Sequence, residues 1–172
     1  MIKKFELDLS SKITVFGIEL FRIKALISFS DVEKGELGGY VEKEENLSHS
    51  GNAWVYGNAE VYGNARVSGN AEVYGNARVS GDAEVYGNAE VYGNARVSGD
   101  AEVSKLNDYI VFKNNWSSGR YFTYTRSNKM WRVGCFYGTG EELIKKAYQD
   151  SKDSGKHYEA YVNLVKTLEQ EE

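Results

Sequence analysis

The sequence predicts a mainly β protein in which a coil of short parallel strands lies between a β-rich cap and a small α+β appendage. Three observations predict this fold: a six-residue repeat from 51 to 104, alternating apolar residues before it, and helical spacing after about residue 139. We therefore divide the chain into an N-terminal β cap (1–50), a repeat region (51–104) and a C-terminal appendage (105–172).

The cap segment alternates apolar and polar side chains in two stretches, IKKFELDL and KITVFGIELFRIKALISF, as β-strands do. Counted back in the phase of the repeat, Val41 and Leu47 fall on alanine positions, so we expect an irregular first coil that begins near Leu37. A stack of repeats has an open apolar end, and we assign the sealing of that end to residues 1–50.

The repeat region consists of nine consecutive hexads, which run from GNAWVY to GDAEVS without an insertion. Alanine and valine lie two residues apart in each hexad, so a β-strand directs both to the same side. Gly-Asn or Gly-Asp then supplies a corner, because these residues tolerate positive φ. The pattern predicts a narrow core of alanine and valine. The sequence contains no proline, which fits strands that all donate backbone N–H groups.

This pattern resembles the hexapeptide-repeat, left-handed parallel β-helix family. The resemblance implies a left-handed helix of triangular section with three hexads in each coil, so that the nine hexads form three regular coils. The segments LGGYVEKEENLSHSGNAWV and WRVGCFYGTGEEL are also similar to parts of phage and prophage members, which are often labelled putative hexapeptide transferases.

A coil of 18 residues would stack outward side chains into columns. One set, which we call the aromatic face, is predicted to bind a partner because tyrosine and tryptophan are common at binding hot spots, and because its two stacked glutamates are unfavourable for stability. For Trp54 two roles stay open, namely packing beneath the cap and binding a partner. The aromatic face comprises Trp54, Tyr56, Glu72, Tyr74, Glu90 and Tyr92.

The appendage is expected to contain a hairpin of two or three antiparallel strands and two helices. Thr139 and Glu142 predict a capping box for a helix that ends near Asp150. Basic and aromatic residues interleave along the strands, which is compatible with stacking on a nucleobase or with an ordinary hairpin that packs one face. This second candidate surface comprises Arg120, Tyr121, Tyr124, Arg126 and Arg132.

Composition excludes several classes of protein. The net charge is −4, so no global basic field favours nucleic acid as a partner. The chain has no apolar run of about 20 residues, and its one cysteine is too few for an internal disulfide or a cysteine metal site. MIKKFELDLSSK lacks the features of a secretory signal, so we expect a cytoplasmic protein. We also expect no metal, no cofactor and no membrane partner.

The favoured function is therefore a non-catalytic binding protein of phage or prophage type that engages a protein partner with a rigid β-helix. The resemblance implies a concrete version, an inhibitor of a bacterial defence system of the anti-CRISPR kind, and a homo-oligomer, most simply a trimer. The alternative is an acetyl-CoA-dependent acyltransferase with His49 as the general base. Against it, the nearly identical hexads contain no interrupting loop to hold a coenzyme.

Overall fold

A computed structural model describes residues 2–170 and shows a mainly β protein with two C-terminal helices. Strands β1 (Phe5–Val15) and β2 (Ile18–Ala25) form an antiparallel hairpin, and β2 pairs with β3 (Leu37–Val41). Nine two-residue strands follow within residues 51–104, one in each hexad. They are β4 (Trp54–Val55), β5 (Glu60–Val61), β6 (Arg66–Val67), β7 (Glu72–Val73), β8 (Arg78–Val79), β9 (Glu84–Val85), β10 (Glu90–Val91), β11 (Arg96–Val97) and β12 (Glu102–Val103).

These short strands stack in parallel on three faces, which confirms the predicted β-helix. The faces contain β4-β7-β10, β5-β8-β11 and β6-β9-β12. The second face continues beyond β5 through β3, β2 and β1 to form a six-stranded sheet. Together with the irregular coil that begins at β3, the repeats form about four turns.

The interior of the coil contains the alanines and valines of the hexads, all of which are fully buried. The glycines at the corners of residues 51–104 have φ between 61° and 73°, a region that favours glycine. Successive corners also approach closely: a Cβ on Gly81 would lie 2.9 Å from the backbone nitrogen of Gly99. Glycine is therefore favoured at every sixth residue, both by the positive φ of the corner and by the close approach of the next corner.

The first coil begins at Leu37 as expected, but its register differs from the regular coils. Val41 pairs with Val61 and Leu47 with Val67, a spacing of 20 residues rather than 18. The prediction that Val41 and Leu47 fall on alanine positions is therefore wrong. Two extra residues are accommodated between Leu47 and Trp54, and the regular spacing of 18 residues begins at Trp54.

Side-chain donors close the N-terminal end of the coil, where backbone carbonyl groups would otherwise lack partners. Lys4 is buried, and its Nζ donates to the carbonyl oxygens of Ala53 at 2.7 Å and Gly51 at 3.3 Å. Asn46 Nδ2 donates in the same way to the carbonyl oxygen of Ala65 at 2.8 Å. Burial of unpaired carbonyls is costly, so these contacts stabilise the end of the stack.

Hydroxyl groups of the appendage close the opposite end. The backbone N–H of Arg96 donates to Thr123 Oγ1 at 2.9 Å, and that of Glu102 donates to Ser127 Oγ at 2.7 Å. The Tyr109 hydroxyl donates to a carbonyl oxygen of the last coil at 3.0 Å. The appendage is thereby fixed to the coil.

The appendage contains one more strand than the two or three expected. Its antiparallel sheet comprises β13 (Tyr109–Lys113), β14 (Tyr121–Thr125), β15 (Met130–Val133) and β16 (Phe136–Gly138), followed by α1 (Gly140–Asp150) and α2 (Lys152–Gln170). Thr139 Oγ1 accepts from the Glu142 N–H, and Glu142 Oε2 accepts from the Thr139 N–H, so the predicted capping box is confirmed. A second apolar core joins the sheet to the helices through Phe122, Trp131, Leu143 and Val162. No helix within residues 2–170 is long and apolar enough to cross a bilayer.

Candidate binding surfaces

Trp54 belongs to the core rather than to the surface. Its side chain is fully buried, and its ring meets Phe29 edge-on at 5.4 Å and Phe5 at 6.2 Å. Both phenylalanines come from the cap and need an apolar platform at the top of the coil. Of the two roles left open by the sequence, Trp54 therefore packs beneath the cap. It is not part of the exposed aromatic face.

Tyr56 is also held by the cap. Its hydroxyl donates to Asp31 Oδ1 at 3.0 Å, and partial burial together with this hydrogen bond raises the pKa of the phenol. Only part of the ring is exposed. The exposed part of the aromatic face therefore begins in the next coil, at Glu72 and Tyr74.

The exposed part of this face is dominated by two stacked rings. Tyr74 and Tyr92 lie 5.1 Å apart with an interplanar angle of 8°, and Tyr92 is 40% exposed. The Tyr74 hydroxyl donates to Glu90 Oε2 at 2.8 Å. Desolvation and this hydrogen bond raise the pKa of Tyr74 to about 12, so the phenol stays neutral at physiological pH. The stack fixes both rings before any partner arrives.

Two carboxylates accompany the rings in direct register. Glu72 and Glu90 are paired across β7 and β10. Partial burial raises the pKa of Glu72, and the charges of Asp31 and Glu90 raise it further. The face therefore has excess negative charge beside its aromatic rings.

Stacked side chains of like charge are not specific to the aromatic face. Arg78 pairs with Arg96 and Glu84 with Glu102, so each of the three faces contains one such pair. Because this feature is shared, it cannot identify the aromatic face by itself. The stacked tyrosines distinguish it.

A groove extends the aromatic face onto the appendage. It has a volume of about 540 Å³ and lies between Tyr92 and residues of the first appendage strands. Leu106 is 58% exposed at its edge and Tyr121 is 41% exposed. Sequence reasoning missed this groove because the two walls come from separate segments that meet only when the appendage caps the coil. Its lining also includes Tyr109, Ile110 and Val111.

The second candidate surface does not form one patch. Tyr124 is buried against Trp131 at 5.0 Å, and its hydroxyl donates to Glu169, so it is unavailable to a ligand. Successive residues of β14 face opposite sides of the sheet, which separates Tyr124 from Tyr121. Arg126, at the end of this strand, is partly buried. Arg120, Tyr121 and Arg132 remain, and they lie near arginines of the coil rather than on an isolated hairpin.

The hexad phase predicts a valine position for His49, but in the structure His49 lies in the segment of the first coil that contains two extra residues. Its ring stacks on Phe5 at 4.3 Å, Nδ1 accepts from the Lys4 N–H at 3.2 Å, and Nε2 lies 3.5 Å from Glu44 Oε2. The backbone hydrogen bond places the proton of the neutral ring on Nε2, facing Glu44. Neither nitrogen then has a free lone pair to accept a substrate proton. The acyltransferase alternative draws no support from this geometry, although His49 lines a cavity of about 550 Å³.

Across the part of the chain that the structure describes, no group of three or more histidine, cysteine or acidic side chains is arranged to hold a metal ion.

Comparison with known protein families agrees with the architecture of the coil. A family model described as the YdcK beta solenoid repeat matches residues 59–73, 71–87 and 89–104, which together span about a quarter of the chain. All three matches lie within the hexads, so they support a repeat β-helix and do not reach the cap or the appendage. No curated protein matches the chain.

Proposed function

We propose that this protein is a non-catalytic binding protein that engages a protein partner through the exposed part of the aromatic face. That part comprises Glu72, Tyr74, Glu90 and Tyr92. One observation carries the proposal: the Tyr74 and Tyr92 rings stack in parallel beside two glutamates held in register.

Preorganisation makes this surface suitable for recognition. Tyrosine offers a large contact area and has few rotatable bonds, so binding costs it little side-chain entropy. The stack and the hydrogen bond from Tyr74 to Glu90 already restrict both rings. Less conformational freedom is then lost on association, which favours affinity.

The charge on the face indicates the chemistry of the partner. Glu72 and Glu90 repel one another, and a lysine or arginine of a partner placed between them would relieve this repulsion and form an ion pair. The adjacent groove, with exposed Leu106 and Tyr121, would accept apolar side chains. The proposed partner surface therefore combines basic and apolar residues.

The test compares tyrosines at the same hexad position on different faces. Immobilised protein is exposed to a bacterial lysate, captured proteins are quantified by mass spectrometry, and the enriched partner is titrated by calorimetry. We expect Tyr74→Ala to weaken binding by about 1–2 kcal/mol, or roughly 5- to 30-fold, and Glu72→Lys to weaken it as well. Neither change should prevent folding, because Ala71 and Val73 provide the inward packing.

Tyr86→Ala is the matched control. Tyr86 occupies the same hexad position on another face, and its hydroxyl makes the equivalent contact with Glu102 at 3.3 Å. It should bind the partner like the parent. Equal binding by Tyr74→Ala, Glu72→Lys and the parent would exclude the aromatic face as the site.

A finer proposal rests on the resemblance to phage and prophage proteins. In this version the protein acts in the cytoplasm of a bacterial host and inhibits a defence system. Phage plating efficiency on defence-positive cells should rise when the parent is expressed, and less so with Tyr74→Ala. Unchanged plating across a panel of defence systems would contradict this version and leave the binding proposal in place.

The same resemblance supports a homo-oligomer, specifically a trimer. Light scattering at micromolar concentration should then give about three times the chain mass of 19.3 kDa. A mass equal to one chain would exclude it.

A further inference from the structure

Four arginines from distant parts of the sequence meet beside the junction of coil and appendage. Arg78 and Arg96 point outward from β8 and β11 in direct parallel register. Arg132 lies opposite Thr123 in the appendage sheet, and Thr123 Oγ1 accepts from the Arg96 N–H at 2.9 Å. Arg120 precedes β14 and approaches from the same side. We call these residues the arginine cluster: Arg78, Arg96, Arg120 and Arg132.

Gly134 marks the point where two of these side chains converge. Arg96 Nη1 donates to the Gly134 carbonyl oxygen at 3.3 Å. Arg120 Nη1 lies 3.9 Å from the position that a Cβ on Gly134 would occupy. A turn with positive φ at Gly134, 58°, allows both guanidinium groups to approach the same stretch of backbone.

The carboxylate of Glu60 compensates only part of the positive charge of this cluster. Glu60 pairs with Arg78 at 2.8 Å, but within residues 2–170 no carboxylate forms an ion pair with Arg96, Arg120 or Arg132. Desolvation lowers the pKa of Arg96, and the neighbouring charges of Arg78, Arg132 and Arg120 lower it further. The guanidinium groups repel one another, and a bound anion would relieve this repulsion.

Three of the four arginines line a concave site of small-molecule size. The cavity has a volume of about 310 Å³, and carboxamide and phenol groups complete its wall. Such a shape suits a compact ligand, whereas a nucleic-acid duplex would need an extended basic surface. Its lining includes Arg78, Arg96 and Arg120 with Asn76, Asn94 and Tyr121.

We propose that the arginine cluster binds the phosphate group of a nucleotide-sized phosphate ester. Guanidinium groups match phosphate because they donate two parallel hydrogen bonds and remain charged. Arg96 and Arg120 contact the phosphate oxygens, Asn76 and Asn94 donate to the remaining oxygens, and Tyr121 offers an aromatic wall to the organic part. This site shares Tyr121 with the groove beside the aromatic face, but its arginines lie outside that face, so variants of the arginines test it separately from the proposed function.

Calorimetric titration of the full chain with ADP and with sodium pyrophosphate, at physiological ionic strength, tests the site. We expect saturable binding of both probes, tighter for ADP if the aromatic wall contributes. Arg96→Gln and Arg120→Gln should each weaken binding about 10-fold or more, since each removes charge-assisted hydrogen bonds. Melting temperatures of both variants should stay close to that of the parent, because Arg120 is exposed and Arg96→Gln removes the side-chain hydrogen bond to Gly134 but keeps the backbone N–H contact with Thr123.

Arg66→Gln is the matched control, since Arg66 occupies the same hexad position and is exposed on another face. It should leave the affinity unchanged. Binding that Arg96→Gln, Arg120→Gln and Arg66→Gln weaken equally, or that sodium sulfate at equal concentration abolishes, would mean an adventitious ion only. Stronger binding of a 20-nucleotide single strand than of ADP, with the same variant pattern, would replace the small-molecule ligand by a nucleic-acid backbone and overturn the proposal.

Discussion

The two ends of the β-helix are closed by different chemistry. At the N-terminal end a buried lysine and an asparagine donate to carbonyl oxygens, beside three aromatic rings. At the C-terminal end neutral hydroxyls of Thr123 and Ser127 accept backbone N–H groups. Lysine can only donate, whereas a hydroxyl can donate or accept, and the Tyr109 hydroxyl donates to the Glu90 carbonyl oxygen at the same C-terminal end. The N-terminal end is therefore closed partly by a charged donor, and the C-terminal end by hydroxyls that pair with both kinds of backbone group.

The largest effect is expected at the aromatic part of the N-terminal end. Trp54→Ala should lower the free energy of unfolding by about 3–5 kcal/mol, because it empties a fully buried space between Phe5 and Phe29. Urea denaturation followed by circular dichroism measures it. Trp54→Phe should cost less, and it keeps the comparison measurable if the alanine variant does not fold. A loss below 1 kcal/mol for Trp54→Ala would show that the cap is dispensable.

Lys4→Met should cost about 2 kcal/mol at pH 7. The methionine preserves most of the buried volume but leaves the carbonyl oxygens of Ala53 and Gly51 without their donor. The same denaturation experiment applies, with Lys3→Met as the control, because Lys3 is exposed and pairs with Glu44 at the surface. Equal stability of Lys4→Met and the parent would show that these hydrogen bonds only offset the burial of the charge.

Between pH 8 and 9.5 the N-terminal end should also respond to pH, whereas Tyr109 at the C-terminal end stays neutral there because burial raises its pKa to about 12. Burial lowers the pKa of Lys4 from 10.5 to about 8. Between these values the unfolded chain binds more protons than the folded one, so the free energy of unfolding should rise with pH. From pH 8 to 9.5 the slope should be positive and at most about 1.4 kcal/mol per pH unit, and Lys4→Met should abolish it. A slope that persists in Lys4→Met would assign the titration to another group.

The smallest effects are expected at the hydroxyl cap. Thr123→Val should cost about 1 kcal/mol, because Thr123 is buried and water cannot replace its contact with the Arg96 N–H. Ser127→Ala should cost less than about 0.5 kcal/mol, because Ser127 is exposed and water can accept from the Glu102 N–H. Thermal melts of both variants test the difference. The reverse order would mean that burial does not govern the strength of this cap.

The coil was predictable from the sequence because one local rule repeats nine times. Alanine, valine and glycine each have a single role in the hexad, and the columns of outward residues follow from counting 18 positions. The capping box at Thr139 was predictable for the same reason, since its signal lies within four residues.

Contacts between segments distant in sequence were not predictable. Two extra residues before Trp54 shift the first coil, and no periodicity reveals where an insertion is absorbed. Burial of Trp54 depends on Phe29, 25 residues earlier, and burial of Tyr124 depends on the docking of α2. Arg78 and Arg96 could be stacked by counting, but the arrival of Arg120 and Arg132 required the packing of the appendage on the coil.

The closed ends also determine how copies of this molecule can grow into larger structures. A coil with open rims could accept another coil by hydrogen bonding and elongate into a filament. Here Lys4 and Asn46 occupy carbonyls on one rim, while Thr123 and Ser127 occupy N–H groups on the other. Axial polymerisation would first have to displace both caps. These contacts therefore oppose end-to-end growth of the coil and leave its three faces as the surfaces without such a barrier.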